Sequence, residues 1–248
     1  MPVVRRTDRV LVAALVLALA GGQASRATPQ SVPARQKEAL DLGKVTRKRQ
    51  IAPLFSADHA DWLTRADRDA SEQPEKVLDA LRIPEGAVVA DVGAGVGYFT
   101  WRLARRVGPK GKVIAVEVQQ KMLDLMAMNL KERRIANVEI VLGGVRDPRL
   151  PIGSLDLALL VDVYHEFAEP EAMMQHIRRA LKRNGRLVLI EYRKEDPAVP
   201  ILPLHKMSTE EVRSEIEPIG FRFVEALEFL PTQHILVFTP RGEAGAGL

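Results

Sequence analysis

The sequence predicts an α/β fold: a doubly wound, mostly parallel seven-stranded sheet with an antiparallel last strand and helices on both faces. Three observations predict it. Val88, Val89, Ala90 and Val92 form an apolar, β-branched run that suits a strand covered on both faces. That run passes through Gly93, Gly95 and Gly97 into a helical pattern opened by Tyr98 and Phe99. Downstream, strand-like and helix-like segments alternate, as crossover helices on a parallel sheet require.

The elements follow in order. Pro74 opens a helix over residues 74–81, and Ile83-Pro84-Glu85-Gly86 turns the chain into the first strand. A second strand over residues 112–116 ends in Glu117. Met122, Leu125, Met126 and Leu130 share one face of the next helix, a pattern of core packing. Residues 138–142 and 155–161 read as the third and fourth strands, and residues 170–181 as a helix. A further helix over residues 208–219 opens with Ser208-Thr209-Glu210-Glu211, the spacing of a capping box. Two late strands, residues 222–229 and 234–239, are joined by Leu230-Pro231-Thr232-Gln233, short enough for an antiparallel pair. The tail, residues 241–248, is rich in Gly and Ala and reads as loose.

The chemistry concentrates around the first strand. Glycines without a Cβ let backbone approach a ligand closely, and a helix start presents free N–H groups. Glu117, at the tip of the neighbouring strand, can accept hydrogen bonds from both hydroxyls of a ribose. Strand, glycine loop, helix and acid describe a nucleoside-cofactor site. A dinucleotide fingerprint needs Gly-x-Gly-x-x-Gly, whereas Tyr98 stands where its last glycine belongs. A nicotinamide oxidoreductase is therefore disfavoured. Asp91 can fix the loop or meet a ligand ammonium.

The pattern Asp91-x-Gly93-x-Gly95-x-Gly97 resembles the first motif of class I S-adenosylmethionine-dependent methyltransferases. Further likenesses follow in order: Glu117 to their ribose-binding acid, Asp162-Val163-Tyr164-His165-Glu166-Phe167 to their active-site loop, and residues 181–187 to the turn before their fifth strand. The resemblance spans residues 70–240 and is closest to small-molecule enzymes of the quinone-biosynthesis group. It implies a Rossmann-like fold and S-adenosyl-L-methionine as cofactor. The cofactor contacts it implies are Asp91, Gly93, Ala94, Gly95, Gly97, Tyr98, Glu117, Val118, Asp147 and Asp162. Because Gly143-Gly144-Val145-Arg146 follows the third strand where an adenine-binding acid belongs, either Asp147 from a shifted position or a backbone carbonyl takes that place. Asp162 either meets the cofactor's amino-acid end or caps its loop.

The reaction implied is methyl transfer to an O, N or C atom of a small-molecule acceptor. His165 is the candidate base, with orientation of its loop as the alternative. Tyr164 is the second candidate catalytic residue, lining the sulfonium pocket through its ring face or simply packing. Glu191-Tyr192 and His205-Lys206 are candidates for the acceptor wall. Residues 55–73, with His59, Trp62, Arg65, Arg68 and Glu72, form a candidate lid. A non-catalytic cofactor-binding sensor or assembly module is the competing reading.

Composition narrows the rest. A hydrophobic share of 46% and a charged share of 27% are ordinary for a globular protein. Arg5, Arg6, Arg9 and Arg26 against Asp8 place +3 of the formal +4 charge in residues 1–27, leaving about +1 elsewhere. Bulk charge therefore gives no support to a nucleic-acid partner. The absence of cysteine excludes disulfides and thiolate chemistry, and the five histidines show no metal-ligand spacing, so no metal is expected. Residues 1–27 join a basic start, an apolar run over 10–20 and small residues, the pattern of a signal peptide or anchor. An exported or envelope-associated protein is expected, cytoplasmic if that signal is misread. Residues 28–54 read as a linker, a solvated tether in the favoured reading and a membrane-surface segment in the other, ahead of a methyltransferase domain over 55–240. Oligomeric state is not readable.

Overall fold

In a computed structural model, residues 49–242 are described. The signal-like segment, most of the linker and the end of the tail lie outside them. Among the described residues, no helix is long and apolar enough to cross a membrane.

Five strands pair in parallel in the spatial order β3 (Val138–Leu142), β2 (Lys112–Glu117), β1 (Val88–Val92), β4 (Leu155–Val161), β5 (Leu181–Arg193). A two-residue strand, β6 (Lys206–Met207), pairs with β5 alongside Tyr192 and Arg193. Beyond β5, β8 (Gln233–Pro240) runs antiparallel to both β5 and β7 (Phe221–Leu227). The sheet thus has eight strands where seven were expected. The extra one is too short to show any alternation in sequence.

The central strands bury both faces with a period of two. Leu187 and Leu189 of β5 pack into one core with the helices α5 (Pro170–Ala180) and α6 (Thr209–Ile216). Val188 and Ile190 pack into the other, with α2 (Pro74–Leu81) and α3 (Thr100–Val107). All four strand residues are at most 1% exposed, each contributing about 1.5–3 kcal/mol by burial. The helix α4 (Gln120–Glu132) covers β2 through Leu123, Met126 and Leu130. Leu123 takes the buried place expected for Leu125, which is only half-buried.

Local sequence sets the ends of the elements. Ser208 Oγ accepts from Glu211 N while Glu211 Oε2 accepts from Ser208 N, both at 3.0 Å, completing the capping box of α6. The expected helix over 208–219 ends at Ile216, and a 3-10 turn carries Glu217–Ile219, where Pro218 removes a helical donor. The chain leaves β1 toward one sheet edge and β4 toward the other, so a crevice opens at their carboxyl ends.

Candidate active site

That crevice is a cavity of about 240 Å³ with mostly apolar walls. Its floor is the glycine loop. Gly93 and Ala94 donate N–H bonds to Val116 O at 2.8 and 3.0 Å, tying the loop to β2. Gly93 has φ +76°, and a Cβ there would stand 2.3 Å from Val163 Cγ2. A side chain would thus separate the loops that follow β1 and β4. Gly95, at φ +54°, donates its N–H to Glu117 Oε2 at 3.1 Å.

Glu117 is buried, and its Oε1 also accepts from Val118 N at 2.8 Å and Gln119 N at 3.0 Å. Three backbone donors therefore fix the carboxylate at the tip of β2. Of its roughly four acceptor positions, one remains for a ribose hydroxyl, where the sequence suggested a grip on two.

Asp91 is buried beneath the loop, and its Oδ2 accepts from Thr100 Oγ1 at 2.6 Å. Burial pushes its carboxyl up to about 6, against the downward pull of that bond and of Arg68. Tyr98 lines the cavity. Its hydroxyl donates to Asp69, and its ring lies between the guanidinium groups of Arg68 and Arg102, 3.8 and 4.3 Å from its centroid.

The roof is the segment before the sheet. A 3-10 helix (Ala57–Thr64) and α1 (Arg68–Glu72) place Trp62, Leu63, Arg65, Arg68 and Glu72 on the cavity. Glu72 is 2% exposed and accepts from Arg65 at 2.8 Å and Arg68 at 2.9 Å. Gln119 holds the roof to α4, donating to Phe55 O and accepting from Ala57 N. His59 lies outside the cavity lining and meets Phe55 edge-on. Packing begins before the expected boundary at residue 55: Ile51 and Ala52 are buried, and Ala52 N donates to His165 O at 3.1 Å.

The far wall comes from the loop after β4 and the end of β5. His165 is buried, and its Nδ1 lies 2.6 Å from Glu191 Oε2. A carboxylate only accepts, so that nitrogen carries the proton. Glu191 Oε1 accepts from Tyr164 N at 2.9 Å. Burial works to lower the His165 pKa, but Glu191, together with Glu166 and Asp162, holds it above its ordinary value. His165 Nε2 faces His205 Nδ1 at 3.2 Å. Burial and the neighbouring His165 push His205 down to about 4, and burial raises Glu166 to about 7. Asp162 sits at φ +49°, its Oδ2 accepting from Gln233 at 2.7 Å while its buried Oδ1 has no partner.

Most expected site residues therefore converge: Asp91, Gly93, Ala94, Gly95, Tyr98, Glu117, Val118, Asp162 and His165 all line the cavity. Three do not. Gly97 shapes the loop instead, since a Cβ there would strike Met126 at 2.8 Å. Tyr164 is fully buried with its hydroxyl donating to Glu215 at 2.9 Å, and its ring meets Phe167 edge-on, so it packs rather than lining the pocket. Asp147 turns to Arg149 N and His176, leaving Gly144 and Val145 on the wall. Sequence reasoning missed Gln119 and the approach of His165 to His205; no local spacing signals either.

Comparisons with known proteins agree with this geometry. A family model described as a methyltransferase domain matches residues 83–220. A demethylmenaquinone methyltransferase of Lactococcus lactis subsp. lactis is 29% identical over 144 residues, 58% of this chain and 55% of that protein. A SAM dependent methyltransferase from Aquifex aeolicus is 27% identical with a TM-score of 0.71, covering 75% of this chain and 99% of that one. The cyclase SpnF, 16% identical with a TM-score of 0.60 over 84% of this chain and 93% of its own, shares the fold alone. The chain spans about half the length of the curated relatives it matches. With more than half of its length inside that family model, the chain belongs to the methyltransferase-domain family, in the class I group whose cofactor is S-adenosyl-L-methionine.

Proposed function

We propose that the protein moves the methyl group of S-adenosyl-L-methionine to a small acceptor held between the glycine loop and the His165 wall. Fold alone does not assign a reaction, since a cyclase shares it. The single observation that carries the reading is one cavity lined both by Glu117, whose carboxylate backbone N–H groups hold in place, and by His165, paired with Glu191. Glu117 and Val118 would hold the adenosyl group, and the unpartnered Asp162 Oδ1 suits an ammonium donor. The cofactor brings a methyl group already attached to a good leaving group. The chain's own task is then to align and to exclude water, and alignment is worth about 7–11 kcal/mol. Trp62, Leu63 and Phe55 supply the apolar roof that does so. A quinone-like acceptor suits these walls, in keeping with the similarity to the demethylmenaquinone methyltransferase of Lactococcus lactis.

The test is calorimetry with S-adenosylhomocysteine, followed by labelled methyl donor and a fractionated extract. Binding with a labelled small product supports transfer. Binding with no labelled product in any fraction favours a sensor, and no binding removes the reading. We further propose that residues 1–27 direct export, supported by their basic start and apolar run. A mature N-terminus near Ala24 or Ala27 in the exported fraction checks it; an intact Met1 in the cytoplasm refutes it.

A further inference from the structure

We propose that His165, His205 and Glu166 form a site for one divalent transition-metal ion at the acceptor end of the cavity, with an open position for an acceptor hydroxyl. One ligand atom from each residue lies within 4.8 Å of the other two. All three residues line the cavity. Two imidazoles and a carboxylate are a recurring donor set for zinc sites that keep a fourth position open.

The distances fit an ion. His165 Nε2 and His205 Nδ1 are 3.2 Å apart. Nitrogens at about 2.0–2.1 Å from a tetrahedral ion stand about 3.3–3.4 Å from each other. Glu166 Oε1 is 3.9 Å from His165 Nε2, and a ligand oxygen of Glu166 lies within 4.8 Å of both histidines, so this carboxylate closes in on the ion when the tetrahedron forms. Its other oxygen, Oε2, is anchored by Phe55 N at 3.1 Å.

A second observation stands behind the three ligands. His165 gives its Nδ1 proton to Glu191, a residue with no solvent exposure whose other oxygen is held by Tyr164 N. In the neutral ring this leaves the lone pair on Nε2, the atom 3.2 Å from His205 Nδ1. A carboxylate behind a histidine in this way is the usual support of a metal-bound imidazole. Carboxyl oxygens of Glu191 and Glu166 lie 2.6 and 3.9 Å from the two His165 ring nitrogens.

The ion would bind an acceptor oxygen and acidify its hydroxyl, whose proton leaves to solvent. This use rests on the methyl-transfer reading and narrows it to oxygen acceptors; the binding of the ion does not rest on it.

The full chain, stripped with chelator, is titrated with Zn²⁺ by calorimetry and with Co²⁺ by visible absorption. One equivalent of ion per chain and the absorption of a four-coordinate cobalt site are expected. His205→Ala and Glu166→Gln should each weaken binding at least 10-fold. Glu191→Gln should weaken it by about 10–100-fold through loss of orientation. His176→Ala, outside the cavity lining and half-exposed, is the control. Circular dichroism and melting of the stripped variants show that each is folded, and His205→Asn replaces any that is not. No saturable binding, or equal binding by His205→Ala and His176→Ala, overturns the site and leaves the two rings as a hydrogen-bonded pair. Titration of the stripped protein with S-adenosylhomocysteine reports on the methyl-transfer reading separately.

Discussion

Asp91→Asn should make the protein more stable near neutral pH while weakening its grip on the cofactor. The carboxyl of Asp91 is pushed by burial from its ordinary 3.8 up to about 6. An acid whose folded pKa is raised binds protons more readily when folded. Its favourable contribution is therefore complete below about pH 4 and is lost as pH rises through 6. The gap between 3.8 and about 6, at 1.36 kcal/mol per unit, corresponds to about 3 kcal/mol of stability forgone above pH 7. Asparagine keeps an oxygen for Thr100 Oγ1, which now bonds Asp91 Oδ2 at 2.6 Å, and carries no charge to desolvate.

Urea unfolding of both proteins from pH 4 to 8 measures the difference. The variant should match the wild type near pH 4, gain steadily through pH 6, and level off at about 3 kcal/mol above pH 7. A difference that does not change with pH, or a variant less stable throughout, refutes the reasoning. The same variant should bind S-adenosylhomocysteine more weakly, because a charge kept buried at a cost is characteristic of a binding site. Unchanged affinity would make Asp91 a loop brace alone.

Other substitutions separate the parts of the site. Glu117→Ala strips the acceptor from Gly95, Val118 and Gln119 N–H groups. It should cost about 1–3 kcal/mol of stability and at least 10-fold in cofactor affinity; retained affinity by calorimetry would deny it a sugar contact. Gly93→Ala places a methyl 2.3 Å from Val163 Cγ2 at φ +76°, so it should lower the melting temperature. Adding Val163→Ala should restore only part, because backbone strain persists; full restoration would show that strain is absent. Tyr164→Phe and Asp147→Ala should leave cofactor affinity within threefold, since neither side chain lines the cavity. A tenfold loss in either would return that residue to the site.

The parts of the site legible in sequence are those fixed by neighbours in the chain. Asp91, the glycines and Glu117 lie at the ends of strands whose β-branched runs and crossover spacing are local patterns, so their convergence follows from topology. The antiparallel pairing of β7 with β8 was legible from its short connection, and the capping box of α6 from four residues. Asp147 was misplaced because a single residue's direction in an irregular loop depends on partners such as His176, which no spacing encodes. Tyr164 takes the packing role that the sequence left open beside the pocket role. A tyrosine's hydroxyl can reach a distant acid, here Glu215, and so its ring belongs to the core.

The histidine cluster shows the boundary most sharply. His165 and His205 are forty residues apart in the chain, and each alone looks like an ordinary loop histidine. They meet because β5 carries the chain out to Tyr192, and the 3-10 turn Pro203–His205 returns beside it just before β6 pairs with β5. A two-residue strand supplies that register, and its energy is too small to leave a sequence pattern. Placement of reactive groups therefore depends here on one of the weakest elements of the fold. The first strand and its glycine loop, by contrast, announce themselves because the whole core is built against them.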